Sequence, residues 1–189
     1  MVWIHGGAFV DGSGLEYGPD FFMDEDVILV TLNYRLGVLG FLNTEDGHMP
    51  ANNGLKDMIL ALKWVRRNIA SFGGNPDRVT IFGQSAGGAA VNHLMLSPTA
   101  KGLFHGVIAQ SGSSFVPWSL TLHPRESAME LAKRVSCGVQ STHEMVTCLK
   151  ELDLEVLLSH SLDVPEGVSG LAVSSSMTWR LMCLFCSII

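Results

Sequence analysis

The residues best suited to chemistry in this chain are Gly83-Gln84-Ser85-Ala86-Gly87. A Gly-x-Ser-x-Gly run suits the point where a strand turns abruptly into a helix. The turn holds the serine in a strained conformation clear of the sheet, and the glycines let neighbouring backbone pass without a Cβ clash. The helix N-terminus favours developing negative charge, and the Ala86 N–H points to where an oxyanion would form. The chemistry implied is attack of the Ser85 hydroxyl on a carbonyl through an acyl-serine intermediate. The same pentapeptide also occurs by chance at helix N-caps, so its flanks decide.

The flanks have the required character. Val79-Thr80-Ile81-Phe82 reads as a buried strand, and Ser85 to about Leu96 as a helix of small residues ending before Pro98. A second glycine-rich piece, His5-Gly6-Gly7-Ala8-Phe9, follows the apolar run Val2 to Ile4. An ordinary glycine turn would look similar. Paired with the serine motif, it reads as the loop whose backbone N–H groups complete an oxyanion pocket in lipases and esterases.

Other elements supply the frame. Val27 to Leu32 is a β-branched apolar run of the kind found in parallel sheets covered on both faces. Leu55, Met58, Ile59, Leu62, Val65 and Ile69 recur at helical spacing, and Gly73-Gly74-Asn75-Pro76 stops that helix. Residues 11–20 and 35–53 read as loops. Val107 to Ala109 is a further short strand. Pro124 opens a helix running to about Ser136. Ser141 and Glu144 form a capping box for a helix through Lys150. Strands alternating with helices predict a mostly parallel, doubly wound sheet.

Composition narrows the partners. With 47% apolar and 16% charged residues the chain is globular rather than disordered. A net charge of −6 without a basic run argues against nucleic acid. The opening Met1-Val2-Trp3-Ile4-His5 has no charged leader, and no apolar run is long enough for a membrane span; Met177 to Ile189 is short and contains Arg180. Cys183 and Cys186 form a lone CxxC without companion ligands, so no metal site is expected.

Taken with their surroundings, these motifs resemble the type B carboxylesterase and cholinesterase family. The stretch Phe72-Gly73-Gly74-Asn75-Pro76-Asp77-Arg78-Val79-Thr80-Ile81-Phe82 running into the Ser85 motif is similar to its active-site signature. Val2-Trp3-Ile4-His5-Gly6-Gly7-Ala8-Phe9, Asn33-Tyr34-Arg35-Leu36-Gly37, Asn53-Gly54-Leu55-Lys56-Asp57 and Gln110-Ser111-Gly112-Ser113 resemble further family blocks. The resemblance implies an α/β-hydrolase fold, present incompletely over residues 1–167, with a divergent tail at 168–189. It implies Ser85 as nucleophile and the N–H groups of Gly7, Ala8 and Ala86 as the oxyanion hole. Ser111 would stand behind the catalytic acid and histidine. Trp118 would shape the acyl pocket or be an ordinary core tryptophan. Cys137 and Cys148 would pair in a disulfide in an oxidising, secretory compartment, the alternative being two buried thiols. The reaction would hydrolyse a small carboxylic ester without cofactor.

The acid and the base are not evident. In the family a glutamate and then a histidine follow the serine at distances that exceed this chain. His93, His105, His143 and His160, with Glu155, Asp163 and Glu166, fit those roles poorly, and His5 belongs to the loop. The expectation is therefore a fragment lacking both ends, inactive by itself, whose last twenty or so residues are out of register with the family. Gln84 stands where the family often has glutamate, which disfavours a cationic choline ester and favours a neutral one. A cholinesterase-like adhesion protein, which binds and does not catalyse, is the alternative; the intact serine motif argues against it.

Overall fold

A computed structural model describes residues 1–161 and 173–174. The elements are β1 Val2–Ile4, β2 Val30–Thr31, α1 Gly37–Phe41, α2 Asn53–Asn68, β3 Thr80–Gln84, α3 Ala86–Leu96, β4 Gly106–Gln110, β5 Leu120–Thr121, α4 Pro124–Arg134, α5 Thr142–Glu151, α6 Leu154–Ser161 and β6 Val173–Ser174. The main sheet is entirely parallel, in the order β2-β1-β3-β4. β5 and β6 form a separate parallel pair. The expected α/β-hydrolase architecture is therefore present in its central part.

Val2, Ile4 and Ile81 point into one core with the apolar stripe of α2 (Leu55, Met58, Leu62) and the small residues of α3. The apolar residues of α2 sit at the spacing that presents one face to the sheet. α3 is small for a different reason: it lies directly on the strands. A Cβ on Gly87 would overlap the Ile4 carbonyl, and one on Gly88 would come within 2.7 Å of the Gln110 oxygen. On the other face Trp3 and Phe82 meet in a tilted ring contact, with centroids 4.9 Å apart, and are covered by Tyr17 and Phe22 from the segment after the glycine loop. A second apolar cluster joins Val38 of α1 and Leu42, just after it, to α4, α5 and α6.

Cys137 and Cys148 are joined in a disulfide that ties the end of α4 to α5. Half of the predicted capping box is seen: the Glu144 N–H donates to Ser141 Oγ at 3.4 Å. The ladder of β2 is shorter than the run Val27 to Leu32 predicts, because only Val2 and Trp3 of β1 stand opposite in register. The segment read as loop at 35–53 contains α1, whose Val38 and Phe41 are buried among glycines that mask the helical signal. α6 was not expected either. Only Leu157 of its apolar residues is buried, so no stripe announces it. Asp163, Glu166, Cys183 and Cys186 lie outside the described residues.

Candidate active site

Adjacent parallel strands end on the same side, and here that adjacency assembles the site. Ile4 of β1 is in register with Gly83 of β3, and Gln84 with Gln110 of β4. The loop after β1, the turn after β3 and the turn after β4 therefore emerge side by side.

Ser85 sits between β3 and α3 with φ 56° and ψ −120°. This is a left-handed φ for a residue with a Cβ, and it is a strained conformation maintained by its surroundings. The Ser85 N–H donates to Gln110 O at 2.8 Å, and its carbonyl accepts from Ala89 at 2.9 Å. Neighbouring backbone leaves room only for glycine. A Cβ on Gly83 would lie 2.5 Å from the Gly87 backbone, and one on Gly112 would overlap the Ser85 carbonyl. The residue is thus clamped from β4, α3 and its own strand.

The loop after β1 comes up against it. A Cβ on Gly6 would lie 2.7 Å from Gln84 O and 3.3 Å from Ser85 Cβ. Gly7, Ala8 and Phe9 all have positive φ, at 99°, 53° and 63°. The Gly7 carbonyl accepts from Val10 and Asp11, each at 2.9 Å, closing the turn. Phe9 is fully buried against Phe41 and anchors the loop, while Gly7 and Ala8 are exposed. Among the described residues Gly7, Ala8 and Ala86 donate their N–H to no backbone acceptor. These three N–H groups and the Ser85 hydroxyl thus lie at the same edge of the sheet.

Ser111 follows β4 with φ 52° and is exposed, beside the Gly112 that abuts Ser85. Trp118 lies in a short 3-10 turn, Pro117–Ser119, and is 45% exposed among the described residues. That turn is held from α3: Asn92 Oδ1 accepts from the Ser114 N–H and hydroxyl, at 3.1 and 2.6 Å. His93, next to Asn92, is buried; desolvation holds its imidazole down to about 4, partly opposed by a hydrogen bond to the Ser119 backbone.

No histidine or carboxylate among the described residues is hydrogen-bonded to the Ser85 side chain. His105 Nδ1 accepts from the Val79 N–H at 3.2 Å, at the opposite end of β3 from the serine. His143 neighbours His48, with ring centroids 5.6 Å apart. His160 Nδ1 is engaged with Val156 O on α6, and Glu155 lies in the first turn of that helix. Among the described residues no group of three or more His, Cys, Asp or Glu side chains could hold a metal. No helix there is long and apolar enough to cross a membrane.

Comparison with known proteins gives the family. Residues 1–177 match the model of the carboxylesterase family. The chain is 48% identical over 157 residues to venom carboxylesterase-6 of Apis mellifera, covering 83% of this chain and 28% of that protein. It is 47% identical over 174 residues to the bile salt-activated lipase of Mus musculus, covering 87% and 29%. The crystal structure of juvenile hormone esterase from Manduca sexta, with OTFP covalently attached, superposes with a TM-score of 0.82 at 39% identity, covering 91% of this chain and 33% of that one. The chain thus spans less than a third of the length of these two curated relatives. A parallel sheet carrying a strained serine beside a glycine loop, matched by relatives this similar, places the chain in the carboxylesterase family.

Proposed function

We propose that Ser85 is the nucleophile of a carboxylic-ester hydrolase. The observation that carries this reading is the strained Ser85 at the mouth of the Gly6-Gly7-Ala8 loop. In the proposed reaction Ser85 Oγ bonds to the ester carbonyl carbon and gives up its proton to a general base. The carbonyl oxygen becomes an oxyanion held by the N–H groups of Gly7, Ala8 and Ala86. The alcohol leaves with a proton, and water then cleaves the acyl-serine to release the acid. Donors fixed in place before reaction stabilise the transition state without reorganising, and one such donor contributes about two to three orders of magnitude in rate. No metal or cofactor takes part.

Ser111, beside the elbow, would support the catalytic acid and histidine, and exposed Trp118 would line the acyl side. The acid and base would come from parts of the whole protein other than the described residues, and residues 1–189 alone are expected to be inactive. The neutral amide of Gln84, packed against Gly6, suits a neutral ester better than a cationic one. The Cys137–Cys148 bond suits a secretory or extracellular compartment.

The test is labelling of the full-length protein by a fluorophosphonate probe, with Ser85→Ala as control. Labelling confined to the wild type is expected. A folded full-length protein that takes no label, or a Ser85→Ala variant that labels equally, overturns the assignment.

A further inference from the structure

Tyr34 lies outside the reacting groups yet is built into the base of the oxyanion loop. Its hydroxyl donates to the His5 carbonyl at 2.9 Å. Its ring stacks on the His5 ring, with centroids 4.4 Å apart and planes 18° from parallel. Both residues are buried. His5 Nδ1 in turn donates to the Gly6 carbonyl at 2.8 Å, which requires the proton on Nδ1, and Nε2 is buried without a hydrogen-bond partner. The His5 carbonyl also sits against the elbow helix, since a Cβ on Gly87 would come within 2.8 Å of it. One oxygen thus lies between the phenol of Tyr34 and the helix that starts after Ser85.

We infer that Tyr34 and His5 form a clamp that fixes the His5-Gly6 peptide and thereby aims the Gly7 and Ala8 N–H groups at the oxyanion. Tyr34 is a positioning residue here and touches no reacting atom. Glycines supply the conformations the loop needs, but they do not select one of them, because Gly6 and Gly7 have no side chain to pack. The rigidity must come from outside. The His5 carbonyl and ring provide the handle, and Tyr34, from the end of the neighbouring strand segment, holds it. Burial pushes the Tyr34 phenol upward in pKa, so it stays protonated and donating.

The inference rests on the Ser85 reading, and the experiment separates the two. In the full-length protein, Tyr34→Phe keeps the ring stack and removes only the hydroxyl, while His5→Phe keeps the stack and the carbonyl but removes Nδ1. Each variant is expected to lower kcat on a p-nitrophenyl ester about tenfold with KM within twofold, because a misaimed donor weakens transition-state binding more than ground-state binding. Affinity for a trifluoromethyl ketone, whose adduct carries an oxyanion, is expected to fall in the same proportion. A tyrosine serving stability alone would lower the melting temperature and leave kcat and ketone affinity at wild-type values; that result in both variants overturns the clamp. If Tyr34→Phe does not fold, His5→Phe decides by the same measurements. Should Ser85→Ala keep its turnover in the same assay, the Ser85 reading fails instead.

Discussion

Buried polar groups show most clearly how single residues shape this molecule. His93 is buried in α3, and burial holds its imidazole at about 4 rather than 6.5. The unfolded chain therefore takes up a proton as pH falls through 6.5, while the folded chain does so only near 4. Its contribution to stability is complete above the unfolded value and is lost across that window, on the order of 3 kcal/mol in total. His93→Gln keeps an N–H donor for the Ser119 backbone and removes the titration. Denaturant midpoints measured from pH 7 to pH 4 should fall less steeply for this variant than for the wild type. Sequence could not announce this role, since His93 meets a partner 26 residues away (119 − 93). The Tyr34–His5 contact was hidden for the same reason, across 29 residues. Ser85 was legible because its constraint is local: the turn itself demands the glycines, and they are written beside it.

Elements were legible where one face is buried over several turns. α2, with its continuous stripe, was predicted to within a few residues, and the α5 start followed from Ser141. α1 and α6 were missed because their burial is brief and comes from distant partners. The segment of α4 to α6 packs with Val38 and Leu42 in an apolar cluster apart from the sheet core. The Cys137–Cys148 bond closes a short loop within it. Replacing both cysteines by serine should cost about 3 kcal/mol in the chain-entropy account. Because the serine elbow draws on the other core, fluorophosphonate labelling of Ser85 should survive in the folded fraction. Chemical denaturation and labelling of the double variant, side by side, check both halves of this expectation. A further link between elements is Arg35, whose guanidinium forks onto Asp57 at 2.7 Å for each bond and joins the segment after β2 to α2. Burial pushes the Asp57 carboxyl up, but the hydrogen bonds from the Arg35 side chain and backbone outweigh it and hold the group below its usual value.

At the scale of the molecule, the site is divided. The described residues bring the Ser85 hydroxyl and the N–H groups of Gly7, Ala8 and Ala86, which have no backbone acceptor, to one sheet edge, and hydrogen-bond no base to the serine. A serine hydroxyl without a base is a weak nucleophile, and the residual rate left when triad members are missing is small. Residues 1–189 expressed alone should hydrolyse p-nitrophenyl acetate no faster than their own Ser85→Ala variant. Turnover above that variant would show that a base lies within the chain. Along the outer strand, β4, Ile108 is 44% exposed. That apolar side chain lies open at the sheet margin.

The strand order also governs how the site is acquired. β1 is threaded between β2 and β3, and its register with β3 pairs Val2 with Ile81. The donors at Gly7 and Ala8 therefore reach Ser85 only after a contact spanning 79 residues (81 − 2) has closed. Such long-range parallel pairing is slow, because the entropy of closing the loop is lost before the strand contacts compensate. A chain in which β1 has not yet been inserted has its serine but lacks the glycine loop beside it, and on the proposed reading it lacks the oxyanion pocket. Reactivity toward a covalent probe thus becomes a clock for folding: during renaturation it should return with the central sheet, after the helical signal has already recovered.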